Sequence, residues 1–140
     1  MKAKEYLRQL QAIQAKIDRR FEETGMLRSM LESTTSPFGK DYLSKTSNQD
    51  KFANIIDKIC DIESEIEGLM AQKFDIICTI EEIESPNSFR AIYYKYVNGM
   101  TTAEICKKMD VAEPTLYGYI GDGYKELAEI LKNRVSDRNS

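Results

Sequence analysis

From Ala3 onward, apolar side chains recur at alternating steps of three and four: Ala3, Tyr6, Leu10, Ile13, Ile17, Arg20, Thr24, Leu27 and Leu31. Seven of these nine positions are apolar, and Leu7 and Phe21 widen the stripe. Such spacing predicts an amphipathic helix of heptad type over residues 2–32. Gly25 costs that helix about 1 kcal/mol relative to alanine, so a break or a frayed end is expected there. A second stripe is cleaner. Phe52, Ile55, Ile59, Ile62, Ile66, Leu69, Lys73, Ile76, Ile80 and Ile83 follow the same steps, with Lys73 the one polar member. Isoleucine is β-branched, but a strand would repeat every second residue. At 1.5 Å per residue the predicted helix is on the order of 50 Å long. Ile56, Met70, Phe74 and Ile77 make its apolar face wider than one partner helix covers.

Between the stripes, residues 33–49 are polar, and Pro37 and Gly39 break helical geometry. A loop is expected over 33–49, with Phe38 and Tyr42 available for docking. Asn48 or Gln49-Asp50 is expected to cap the second helix. Ser85-Pro86 ends that helix, because proline disfavours helical geometry in the residue before it. Shorter helices follow over Ser88–Val97, Thr101–Met109 and Glu113 to about Asn133, parted by Gly99 and by a turn at Asp110-Val111-Ala112. Two domains result: an antiparallel coiled-coil hairpin over 1–85, and a helical module over 86–140.

Composition narrows the chemistry. The 140 residues contain no histidine, which removes His-based triads, HExxH zinc sites and histidine pH switches. Cys60, Cys78 and Cys106 are too far apart for a CxxC knuckle and read as reduced thiols. The start at Met1-Lys2-Ala3-Lys4 has no signal-peptide pattern, and no run of 18 apolar residues occurs, so a cytoplasmic chain without a membrane span is expected. No cofactor, metal, small-molecule substrate or enzyme activity is expected.

The net charge of −3 hides an uneven distribution. Residues 1–49 hold 9 Lys/Arg against 6 Asp/Glu, residues 50–85 hold 3 against 10, and residues 86–140 hold 8 against 7. The acidity belongs to the second helix. Its clusters, Glu63-Glu65-Glu67 and Glu81-Glu82-Glu84, sit at spacings that point side chains apart on a helix. They read as a solvated acidic face, able to meet the basic flank of the first helix across the hairpin.

The last block carries the motif. Thr101 followed by Glu104 is a capping box. Ile105, Cys106 and Met109 supply a buried face, Val111 plugs the turn, and Leu116, Ile120, Gly123 and Leu127 form the stripe of the next helix. Ile92, Tyr93, Tyr96 and Val97 close the core, giving a helix-turn-helix. The run Tyr94-Lys95-Tyr96-Val97-Asn98-Gly99-Met100-Thr101-Thr102-Ala103-Glu104-Ile105-Cys106-Lys107-Lys108-Met109-Asp110-Val111 resembles the helix-turn-helix of sigma-factor region 4, and the likeness continues through Thr115-Leu116. The whole layout is similar to small phage-encoded transcriptional regulators with such a C-terminal module (ArpU/RinA-like).

That resemblance implies double-stranded DNA as partner, with RNA polymerase as a second one. On the recognition helix, however, Glu113, Pro114, Tyr117, Gly118, Gly121, Asp122 and Lys125 lie off the buried stripe, and only Lys125 is cationic. Base reading by bidentate arginine is therefore poorly served. The DNA-binding candidates are Arg90, Lys95, Lys107, Lys108 and Lys125 for phosphates, joined by Thr115, Tyr117 and Tyr119. The expected protein is all-α, a phage or mobile-element regulator, and a homodimer or higher oligomer through the uncovered stripe. The alternatives are a small terminase-like packaging protein, or an interaction module whose helix-turn-helix no longer binds DNA. A monomer whose C-terminal module folds back over the stripe is the alternative to the oligomer.

Overall fold

The computed structural model describes residues 2–35 and 45–139, with side chains over 2–33 and 49–135. The chain is all-α, as the periodicity predicts. The described elements are α1 (Ala3–Thr35), α2 (Lys45–Ile80), α3 (Pro86–Ile92) continuing as a π-helical turn (Tyr93–Val97), α4 (Thr102–Met109) and α5 (Glu113–Asn139). α1 passes through Gly25 unbroken, and a methyl group there would meet nothing within 4 Å. The expected break is absent: Thr24 is buried just before this single weak position and Leu27 is half-buried just after it.

Both helices reach into the segment read as loop. Residues 33–35 and 45–49 are helical, so Asn48, Gln49 and Asp50 lie inside α2 and do not cap it. The apolar stripe begins only at Phe52, which left the polar first turns of α2 invisible to periodicity. Phe38 and Tyr42, proposed for docking, lie outside the described residues. At its other end α2 stops at Ile80 and not at Ser85. Turns close there through Glu82 N–H to the Thr79 carbonyl (3.1 Å) and Ile83 N–H to the Ile80 carbonyl (3.0 Å). Ser85 is extended (φ −69°, ψ 114°), as a residue before proline should be, and Pro86 opens α3 where its missing N–H costs nothing.

α1 and α2 form an antiparallel hairpin. Tyr6 meets Thr79, Arg20 meets Glu65 and Arg28 meets Glu63, so positions fall along α2 as they rise along α1. By packing, the chain divides into two compact units: Met1–Ile13 with Gln72–Ser140, and Gln14–Ala71. The ends of the hairpin belong with the short helices because α5 is tied to them. Its Glu126 carboxylate accepts the N–H groups of Glu84 (3.1 Å) and Ser85 (3.4 Å), and its Arg134 reaches Thr79 and Glu82.

In the discontinuous unit, Leu7, Leu10, Ile80, Ala91, Ile92, Ile105, Leu116 and Leu127 are buried. Gly123 permits the α3–α5 crossing, since a Cβ there would sit 2.7 Å from Ile92 Cγ1. Buried Thr79 knits three helices. Its Oγ1 accepts from Tyr6 (3.0 Å) and Arg134 (2.6 Å), and its hydroxyl donates to the Asp75 carbonyl (3.1 Å). In the continuous unit, Ile17, Ile59, Ile62 and Ile66 are buried, while Phe21, Met26, Met30, Ile56 and Met70 are exposed. Phe21, read as widening the α1 stripe, instead faces solvent. With Thr24, Gly25 and Arg28 of α1 and Glu63, Ile66, Glu67 and Met70 of α2 it lines a groove of about 440 Å³.

Candidate nucleic-acid interface

Thr101 takes extended geometry (φ −74°, ψ 162°), and its Oγ1 accepts the Glu104 N–H at 3.2 Å. The Glu104 carboxylate accepts the Thr101 N–H at 3.2 Å and the Thr101 hydroxyl at 2.9 Å, which completes the capping box. α4 ends in a left-handed residue, Asp110 (φ 56°, ψ 52°), from which the chain turns into α5. Aspartate tolerates that region better than most side chains. The Val111 N–H returns to the Cys106 carbonyl at 3.0 Å, closing the turn. Two helices joined by this short turn, with Ile105 and Leu116 buried, form the helix-turn-helix unit.

The segment preceding it is π-helical, which sequence periodicity does not register. The Asn98 N–H reaches the Tyr93 carbonyl (3.1 Å) and the Met100 N–H the Tyr94 carbonyl (3.0 Å) around left-handed Gly99 (φ 66°). The turn distributes three neighbouring aromatic rings, Tyr93, Tyr94 and Tyr96. Tyr93 packs on Phe89 with centroids 5.6 Å apart. Tyr96 is buried edge-on against Tyr124 (6.4 Å), with the two hydroxyls 2.5 Å apart. Burial, and then the bond to Tyr124, pushes the Tyr96 hydroxyl far above the usual phenol range, so it stays protonated.

Tyr94 is half-buried and meets two cations. The Arg90 guanidinium carbon stands 5.8 Å from its ring centroid and the Lys108 Nζ 5.0 Å. Lys95 Nζ stands 5.4 Å from the Tyr96 ring. Arg90, Lys107, Lys108 and Lys125 are exposed and Lys95 is half-buried; none of the five takes part in an ion pair within the described residues. Thr115 and Tyr117 are exposed at the start of α5, and Tyr119 is half-buried. The structure thus brings Arg90 and Lys108 together from different helices. Lys125 stands apart, ten positions beyond Thr115 and so about 15 Å further along α5. Tyr94 was not among the sequence candidates. Its i,i+4 spacing from Arg90 was visible, whereas Lys108 reaches it only through the fold.

The acidic clusters behave as structural charge. Glu65 pairs with Arg20 (2.8 Å) and Glu63 with Arg28 (2.6 Å) across the hairpin. Cys60, Cys78 and Cys106 are free thiols. Among the described residues no group of three or more His, Cys, Asp or Glu could hold a metal, and no helix is long and apolar enough to cross a membrane.

The profile of a family described as a protein of unknown function, DUF1492, matches residues 42–128, more than half of the chain. The chain belongs to the DUF1492 family. The DUF1492 match takes in α2 together with the capping box, the Asp110 turn and the buried stripe of α5 as far as Leu127. No curated protein and no solved structure matches the chain.

Proposed function

We propose that this DUF1492 protein is a DNA-binding transcriptional regulator of phage or mobile-element type, acting through the α4–α5 helix-turn-helix. The observation that carries the reading is the state of its cations. Among the described residues Arg90, Lys95, Lys107, Lys108 and Lys125 take part in no ion pair, a state they share with Lys4, Arg8, Lys16 and Arg19 of α1, and the fold brings Arg90 and Lys108 onto the one ring of Tyr94. Cations gathered beside the helix-turn-helix with no carboxylate on them are what a polyanion partner would meet. The partly acidic outward face of α5 favours phosphate contact over base reading, and the sequence likeness to sigma-factor region 4 supports the same partner. A homodimer through the hairpin fits the exposed Phe21, Met26, Met30, Ile56 and Met70 of the continuous unit, a larger apolar set than a solvated hairpin needs.

The opposing reading is an interaction module that has lost DNA binding. It is favoured by Glu113 and Asp122 on the exposed side of α5. Fluorescence anisotropy of the full chain with duplex DNA separates the two. Binding at low salt that weakens steeply as salt rises is the expected result. No binding at low salt overturns the regulator and leaves the interaction module.

A further inference from the structure

We propose that Tyr94 is the positioning residue of a two-cation phosphate grip, its ring holding Arg90 of α3 and Lys108 of α4 together for the backbone of duplex DNA. The inference rests on the DNA-binding reading and adds to it a residue and a geometry.

Arg90 and Lys108 are eighteen positions apart, on different helices, and both stand over the Tyr94 ring. With separations of 5.8 Å and 5.0 Å from one centroid, their charged centres lie within about 11 Å of each other. Both separations are inside the roughly 6 Å over which an aromatic face attracts a cation. Successive phosphates on one DNA strand advance by about 3.4 Å along the axis, so the span of this pair covers about three phosphate steps at most. Neither cation has a carboxylate within ion-pair distance among the described residues, so both stay open to an external anion. Long Lys and Arg side chains ordinarily lose rotamer freedom when they seize a phosphate; the ring restricts them beforehand.

The support under the ring is equally specific. Tyr94 sits in the π-helical turn, and its carbonyl accepts the Met100 N–H at 3.0 Å. π-helical turns of this kind frequently occur where a side chain is set for function. Arg90 comes from the helix leading into that turn, and Lys108 from the last turn of α4, two residues before the left-handed Asp110. The grip therefore draws its side chains from α3, the π-helical turn and α4, and none from α5.

The test is anisotropy of the full chain on a fluorescent duplex of arbitrary sequence, over a salt series, with circular dichroism as the folding control. Arg90→Gln with Lys108→Gln is expected to flatten the log–log salt slope by nearly two, at roughly 0.9 per lost phosphate contact. Tyr94→Phe keeps the ring and is expected to bind within twofold of the parent, whereas Tyr94→Leu loses about three- to tenfold. In the Arg90→Gln/Lys108→Gln background, Tyr94→Leu costs nothing further, which a merely structural tyrosine would not allow. Parent-like binding by Tyr94→Leu, or an undiminished loss in that background, overturns the grip. Should Tyr94→Leu not fold, an unchanged slope in the two-cation variant overturns it instead. Absence of binding by the parent chain at low salt removes the DNA reading and the grip together, whereas parent binding with an unaltered variant slope removes the grip alone.

Discussion

In residues 14–71 the arginines Arg20 and Arg28 are held by Glu65 and Glu63 while Phe21, Met26, Met30, Ile56 and Met70 stand exposed. In residues 1–13 with 72–140 the balance is reversed. Leu7, Ile80, Ala91, Ile92, Leu116 and Leu127 are fully buried, Arg90 and Lys108 rest on an aromatic ring, and the large exposed apolar residues are Phe74, Tyr117 and Val135. The difference follows from how many helices share each core. A two-helix hairpin has one line of contact, so an apolar face wider than that line stays outside. A cluster of hairpin ends, α3, α4 and α5 encloses its apolar side chains and leaves cations at the surface. One unit leaves more large apolar side chains at its surface, and the other sets Arg90 and Lys108 on one ring, and these suit different partners.

Three predictions sharpen or break that contrast, each read by urea denaturation. The largest effect is expected at Leu127→Ala, at about 3 kcal/mol for emptying a fully buried site. Phe21→Ala is expected to stay within about 0.5 kcal/mol, as for other exposed positions. A cost at Phe21 that grows with protein concentration would mean that a second copy covers it, and the contrast would dissolve on assembly.

Glycines come next. Gly123→Ala places a methyl group 2.7 Å from Ile92 Cγ1, a side chain with no room to retreat, and is expected to destabilise by about 1–3 kcal/mol. Gly118→Ala enters open space in the same helix and is expected to stabilise by about 1 kcal/mol through helix propensity alone. Equal effects at the two sites would show that α5 does not cross α3 at Gly123.

The third prediction is Thr79→Val, which leaves Tyr6 and Arg134 without their shared acceptor. A loss of about 1–2 kcal/mol is expected, and Thr79→Ser should restore most of it. No loss would mean that the helix ends cohere through apolar contact only.

Much of this fold is readable from residue spacing. The stripe positions Ile59, Ile62, Ile66, Ile76, Ile80 and Ile83 are all buried, and the flanking Ile56, Met70 and Phe74 are exposed, as a face wider than its partner requires. Thr101 and Glu104 announce α4 because a capping box is a local device. What escapes the sequence is either unpatterned or tertiary. The polar start of α2 carries no apolar repeat, and the π-helical turn at Tyr93–Val97 has no periodic signature. Tyr94 gains its meaning only when α4 delivers Lys108 to it. The attachment of residues 1–13 to the helix-turn-helix unit depends on Thr79 and Arg134, which no spacing rule connects.

That attachment also has a consequence in time. A chain made from its N-terminus produces Leu7 and Leu10 first, yet Tyr6 finds Thr79 only 73 positions later. At roughly 5–20 residues per second, synthesis of that interval takes about 4–15 s, and Arg134 emerges later still. Through this interval the apolar edge of the first two or three turns of α1 has no native cover. The segment around Leu7 and Leu10 is thus made well before its native cover, and through that interval it stands open to chaperones and to aggregation.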